Sequence, residues 1–308
     1  MLFRSGKWGL DGKWLLVAAL TGALSGPGWS PGVAAAEVLA RVKSEGLLRC
    51  GVTRSGTGLS ETDEQGEWRG FFPEFCRALA AAATGEADAV EFVEVDDVVR
   101  FEALRDGAFD VLIANTTWTT TRDTSLGLSF TGTLYYDGQS FLAHRSLGAS
   151  RLDEVTQASV CVSAGTTTIQ NLRELAVTKP GLKILDFKAI DSVYDAFFAR
   201  SCDLLTYDRV TLLSQLHSRA GRPEEYTLFP DVISKEPLGP VVKAGDKQWF
   251  DVVRWTMFAL IAAEELGVGR SNVATMRDSK LPEVRRLLGV DGELGEKLGL
   301  NRDWAYQA

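Results

Sequence analysis

Histidine is nearly missing from this 308-residue chain, which holds only His144 and His217. Two histidines, and four cysteines without a CxxC spacing, leave no credible zinc-ligand set. Neither histidine has the companions of a hydrolytic triad, and the strings GxSxG, HExxH and GxGxxG and the Walker pattern do not occur. Acidic residues are plentiful but scattered, with no identifiable acid–base pair. No catalytic residue, metal or cofactor is therefore expected. Lys and Arg total 33 against 41 Asp and Glu, a formal charge of -8 with no basic block, which argues against a nucleic-acid partner. Beyond the N-terminus no segment runs for about 18 apolar residues, the minimum for a membrane span, so the mature chain is expected to be soluble.

What is present begins with an export signal. Arg4, Lys7 and Lys13 give a positive start, and Trp14–Leu24 is an apolar stretch too short to span a bilayer. Residues from Ser25 to Pro31 break any helix, and Ala34, Ala35 and Ala36 offer a small-residue cleavage site before Glu37. Residues 1–36 are read as a signal peptide cleaved near Ala36. No cysteine follows the apolar run, which argues against a lipid anchor. In an exported chain the four cysteines, Cys50, Cys76, Cys161 and Cys202, suggest two disulfides. Three connectivities are possible. The grouping into an early and a later pair favours Cys50–Cys76 and Cys161–Cys202.

Length suggests about two domains. Hydrophobic residues at 45% and charged residues at 24% are ordinary for a chain with a sizeable core. Strand patterns at Leu48–Val52, Val90–Val95 and Asp110–Ala114 alternate with helical patterns at Phe72–Ala83 and Arg100–Asp106. The pattern then restarts, with strands at Ser159–Ser163, Lys183–Phe187 and Asp203–Tyr207. Helices at Thr167–Val177, Ser192–Ala199 and Val210–Ser218 alternate with them. The fold class is α/β, with two lobes built on mostly parallel sheets. Polar stretches near Tyr136–Phe141 and Ser234–Gly239 are read as two crossings between lobes. They place residues 37–138 plus 237–308 in lobe 1 and 139–236 in lobe 2, with a cleft between. A long helix follows at Asp246–Leu266, whose Phe250, Val253, Trp255, Met257, Phe258 and Ile261 read as buried in a core.

Three strand ends suit a zwitterion, because open α/β sheets bind ligands beyond the carboxyl ends of their strands. Asn115 through Arg122, with Thr117 and Trp118, offers hydroxyls, an indole and a guanidinium able to grip a carboxylate with two parallel bonds. The competing reading is a Thr-rich loop with Arg122 paired to Asp123. Gly165, Thr166, Thr167 and Thr168 lie between a strand and a helix, whose N-terminus attracts carboxylates; simple capping by Thr166 or Thr167 competes. Asp208 follows a strand and could pair with an ammonium group or cap the next helix.

Longer stretches are more specific. DVLIANTTWTTTRDTSLGLSFTGTLYYDGQSFLA (110–143), ASVCVSAGTTTIQNL (158–172), CDLLTYD (202–208), VISKEPLGPVVKAGDKQWFDVVRWTMFALIAAEELG (232–267) and RRLLGVDGELGEKLGLNRDWAY (285–306) resemble one family. This is the periplasmic amino-acid-binding proteins of ABC transporters, solute-binding protein family 3, nearest the general L-amino-acid-binding subfamily. The resemblance runs from about Leu47 to Tyr306. It implies a type II periplasmic-binding-protein fold, with lobes joined by two hinge strands. It implies a non-enzymatic carrier, a monomer by the family's default, that captures L-amino acids and hands them to membrane permease subunits. It also implies roles for single residues: Arg122 on the α-carboxylate, Asn115 and Thr117 beside the α-amino or α-carboxylate group, and Trp118 on the ligand side chain. Gly165, Thr166 and Thr167, with Thr168 adjoining, would meet the carboxylate and Asp208 the ammonium. The cysteine pairs favoured above agree with the subfamily's positions. Thr53–Leu59 departs from the family's usual Asn and Gly/Pro-rich turn and brings Arg54 to the cleft border as a cation for an acidic side chain. The subfamily usually continues for roughly another helix beyond the position of Ala308. Dehydratases of cyclohexadienyl amino acids share the fold, but Asp208 is the one candidate here for the general acid they need.

Overall fold

The computed structural model describes residues 37–308, so the signal segment expected at 1–36 lies outside the described residues. The first part of the chain forms α1 (Glu37–Glu45), β1 (Leu48–Val52), a small hairpin of β2 (Glu61–Thr62) and β3 (Trp68–Arg69), α2 (Phe71–Thr84), β4 (Val90–Glu94), α3 (Arg100–Arg105), β5 (Val111–Leu112), α4 (Thr120–Ser125) and β6 (Leu128–Phe130). After β7 (Tyr135–Asp137) come β8 (Gln139–His144), β9 (Ala158–Ser163), α5 (Thr167–Thr178), β10 (Leu182–Phe187), α6 (Ile190–Phe198), β11 (Leu204–Asp208), α7 (Arg209–Arg219) and β12 (Tyr226–Leu228). The chain returns through β13 (Glu236–Leu238) and β14 (Val241–Lys243) to α8 (Lys247–Glu265). Four short helices close it: α9 (Val273–Met276), α10 (Pro282–Leu287), α11 (Leu294–Leu298) and α12 (Trp304–Gln307).

Two five-stranded sheets result, in the orders β4-β1-β5-β14-β6 and β10-β9-β11-β8-β12. In each, three strands run parallel and the strands beyond them pair antiparallel. Strand periodicity feeds a core on either face. Val111 and Ile113 enter a core with α2 and α8, while Leu112 and Ala114 enter one with Leu104 of α3. In the second sheet Val160 and Val162 face α5, whereas Cys161 faces α6. Antiparallel β7 and β13 pair Asp137 with Glu236 and Tyr135 with Leu238, forming the ribbon that carries the chain between the lobes. Each lobe holds one disulfide: Cys50–Cys76 joins β1 to α2, and Cys161–Cys202 joins β9 to the turn before β11.

The helix and parallel-strand segments read from the sequence are found within a residue or two. Two readings are corrected. The stretch near Tyr136–Phe141 is not crossing throughout: β8 starts at Gln139, and all six of its residues are buried. In α8 the core takes one face, with Trp249, Val252, Val253, Thr256, Met257 and Ala259 buried. Trp255, Phe258 and Ile261 lie outside that stripe and are exposed by 50, 42 and 42%. Their spacing is apolar in sequence, but a single helical face reaches the sheet.

Candidate ligand-binding cleft

The loops that follow β5, β9 and β11 meet between the lobes, at the carboxyl ends of parallel strands. After β5 the chain stays pinned to the hinge: Trp118 N–H donates to the Pro237 carbonyl at 2.8 Å, and Thr117 bridges Leu238. Thr119 caps α4 by accepting from Arg122 N–H at 3.2 Å. This cap fixes Arg122 at the start of the helix and turns its side chain inward, where it is 7% exposed. Its Nη1 donates to the Thr117 carbonyl at 2.9 Å, and the guanidinium lies 4.9 Å from the Phe101 ring centroid. The pairing with Asp123 does not occur, because the Asp123 carboxylate accepts from Phe130 N–H at 3.0 Å. Among the described residues no carboxylate forms an ion pair with Arg122. Burial, reinforced by the neighbouring Arg100 cation, lowers its pKa to about 10.

Across the cleft, Gly165 adopts φ +72°, the left-handed turn that aims α5. Thr166 caps α5: its hydroxyl accepts from Ile169 N–H at 3.2 Å and donates to the Ser163 carbonyl at 2.8 Å. That hydroxyl is committed to the helix, whereas the Thr167 hydroxyl faces the cleft, 3.3 Å from Thr117 Oγ1 and 3.3 Å from Glu236 Oε2. Thr168 is buried, and its carbonyl accepts from Gln139 Nε2 at 3.1 Å. The first amides of a helix lack intrahelical acceptors and favour an anion.

Asp208 ends β11 and is 3% exposed. It does not cap α7 with its side chain. Asp137 serves there instead, accepting from Val210 N–H at 2.9 Å, which leaves Asp208 available to the cleft. Its hydrogen-bond donor is Asn115 Nδ2 at 3.4 Å, and among the described residues no cation pairs with it. Burial above all, then the Glu236 and Asp137 carboxylates, push the Asp208 pKa well above the carboxylate range.

The structure thus brings these residues together across the cleft as two hydrogen-bonded pairs, Asn115 with Asp208 and Thr117 with Thr167, with Arg122 held on the Thr117 carbonyl. Trp118 is placed differently: one face stacks on Phe130 at 5.8 Å, in the lobe 1 core. Arg54 is also diverted, since Nε and Nη2 donate to the two Glu94 oxygens at 2.6 and 3.0 Å and its guanidinium sits over Trp68. This exposed ion pair competes with an acidic ligand for the guanidinium. Sequence reasoning missed Thr53 and Ser55, whose hydroxyls donate to Asn115 Oδ1 at 3.1 and 3.0 Å. It also missed Glu236 in the hinge and the buried pair Asp97–Arg100. The strand-end rule that found Asp208 applies equally to Asp97, which follows β4.

The profile of the bacterial extracellular solute-binding proteins, family 3, matches residues 48–268. The chain belongs to that family. As a family 3 solute-binding protein it is 42% identical over 294 residues to the general L-amino acid-binding periplasmic protein AapJ of Rhizobium johnstonii, covering 94% of this chain and 85% of the relative. It is 41% identical to the glutamate/glutamine/aspartate/asparagine-binding protein BztA of Rhodobacter capsulatus, over 90% of this chain and 82% of that one. A periplasmic binding protein from Brucella ovis with glutathione bound superposes with a TM-score of 0.85 at 40% identity, over 88% of this chain and 86% of that one. The type II two-lobed fold is common to these solute-binding proteins.

Proposed function

We propose that this protein captures L-amino acids of broad range in the cleft outside the cytoplasmic membrane and presents them to the permease subunits of an ABC importer. One observation carries the reading: Arg122 and Asp208 are buried ionisable groups of opposite sign, from opposite lobes, and among the described residues neither forms an ion pair. A buried charge is tolerated when it is paired. An amino-acid zwitterion supplies both partners at once. Its carboxylate meets Arg122 and the first amides of α5. Its ammonium meets Asp208, which Asn115 Nδ2 orients from across the cleft. Thr117 and Thr167 complete the polar wall.

Because the two groups sit on different lobes, a bound ligand bridges them and favours closure about the β7–β13 ribbon. The lobes are 37–138 plus 237–308 and 139–236, following an exported signal at 1–36, and the carrier works as a monomer in the periplasm. The amino-acid-binding relatives support the ligand class. The glutathione-bound Brucella protein supports a second ligand, since glutathione carries the same α-amino and α-carboxylate groups on its γ-glutamyl end.

We read Asp208 as a binding group and not as a general acid; turnover of prephenate or arogenate by the purified protein would overturn that. The deciding test is thermal unfolding of the ligand-stripped mature protein against each common L-amino acid and reduced glutathione. A ligand at about 100 times its Kd adds roughly 2.7 kcal/mol and moves the midpoint by degrees. Shifts with several amino acids, lost in Arg122→Ala, are expected. No shift with any of them, or normal binding by Arg122→Ala, would reject the proposal.

A further inference from the structure

Asp97 lies in the turn between β4 and α3 of lobe 1 and is 3% exposed. Its Oδ1 pairs with Arg100, itself 2% exposed. Its Oδ2 accepts two hydrogen bonds from lobe 2: Ser163 Oγ at 3.0 Å, from the end of β9, and Tyr207 Oη at 2.7 Å, from β11. Both donors are buried. The backbone also meets across this line, since a Cβ on Gly165 would stand 3.2 Å from Val98 Cα.

We infer that Asp97, Arg100, Ser163 and Tyr207 form a clasp that holds the lobes closed through contacts separate from those that bind the ligand. Two further polar links between the lobes, Asn115 to Asp208 and Thr117 to Thr167, use groups assigned above to the zwitterion, so a ligand must reorganise them. A third, Ser214 Oγ donating to the Thr57 carbonyl at 2.7 Å, is only partly buried and ends on a neutral carbonyl. The clasp uses none of those groups. Its carboxylate already has a guanidinium and two hydroxyls, and it needs no ligand atom to be satisfied. Opening the cleft separates the Asp97 turn from the ends of β9 and β11 and returns these groups to water. A hydrogen bond to a charged acceptor in a dry site is among the stronger ones. The clasp therefore populates the closed form in the absence of ligand and slows release when a ligand is present.

The inference rests on the hinge-closure reading, but its primary test does not need an amino acid. Distance probes on exposed positions of the two lobes, for example Glu86 and Lys188, report the closed fraction of the ligand-free mature protein. Tyr207→Phe is the mildest cut, because it keeps the ring and removes one hydroxyl; Ser163→Ala is the second. Each is expected to lower the closed fraction. With L-glutamate, L-glutamine and L-alanine as probes, Tyr207→Phe should weaken all that bind by one common factor, on the order of tenfold, through faster dissociation. Asp97→Asn should act in the same direction, and combining it with Tyr207→Phe should add less than the sum of the two. A wild-type protein with no closed fraction, a Tyr207→Phe closed fraction equal to wild type, or a loss confined to one amino acid would overturn the clasp. Failure of the wild type to bind any of the three probes would sink the ligand reading alone and leave the distance measurement to decide.

Discussion

Asp208 sits where an ionised carboxylate is costly, in a buried position flanked by Glu236 and Asp137. A carboxyl whose folded pKa is raised gives stability that is complete below its unfolded pKa and is lost as pH climbs through the folded value. Asp208→Asn is therefore expected to raise the unfolding midpoint of the ligand-free protein at pH 7. The same substitution removes the countercharge for an ammonium group and should weaken amino-acid binding by about 30-fold or more, as truncating one partner of a buried charge pair does. Binding by the wild type should weaken as pH falls below the raised Asp208 value, since a protonated carboxyl cannot balance the ammonium; titration calorimetry at several pH values should show that dependence vanish in Asp208→Asn. Arg122, lowered to about 10, keeps its charge throughout this range. Arg122→Lys retains a cation but not the planar fork, so it should bind more weakly than wild type and more tightly than Arg122→Ala.

Among elements, β9 and β11 carry the second half of the site, and the Cys161–Cys202 disulfide ties them together across a sequence separation of 41. Replacing both cysteines with serine is expected to cost about 3–4 kcal/mol in the chain-entropy picture, read as a lower denaturant midpoint. β8 ends in His144, which is buried between Phe197 and Tyr226 with Nε2 2.9 Å from the Phe197 carbonyl. Burial lowers its pKa below the usual value. A histidine whose folded pKa is depressed binds more protons when unfolded, so stability is held above about pH 6.5 and falls as the solution is acidified below it. The acid side of the stability profile should be flatter in His144→Phe. At the start of α5, Thr166→Ala should cost about 1 kcal/mol as a lost cap while sparing the Thr167 hydroxyl.

For the whole molecule, the ligand and the clasp act on one motion about the β7–β13 ribbon. Small-angle scattering of the wild type is expected to show a smaller radius of gyration with a binding amino acid than without it. Arg122→Ala should show no such compaction with the same amino acid. Glutathione, if it binds through its γ-glutamyl end, should compete with that amino acid for one site.

The order of strands and helices was legible in the sequence because apolar periodicity is a local property: alternation in 110–114 and 159–163 marks strands, and Gly165 marks a turn wherever the chain goes. The disulfide grouping and the motif stretches carried the family in the same way. The antiparallel strands β6, β12 and β14 escaped notice, since three-residue strands give too short a pattern to count. Tertiary structure alone decided which charges are already balanced. Arg54 found Glu94 and Asp123 found a backbone amide, whereas among the described residues Arg122 and Asp208 found no ion-pair partner. Pairing depends on distance in space, and sequence spacing does not encode it. The amino-acid string fixes which charged groups exist near strand ends, and only the folded chain determines which of them are left for a ligand.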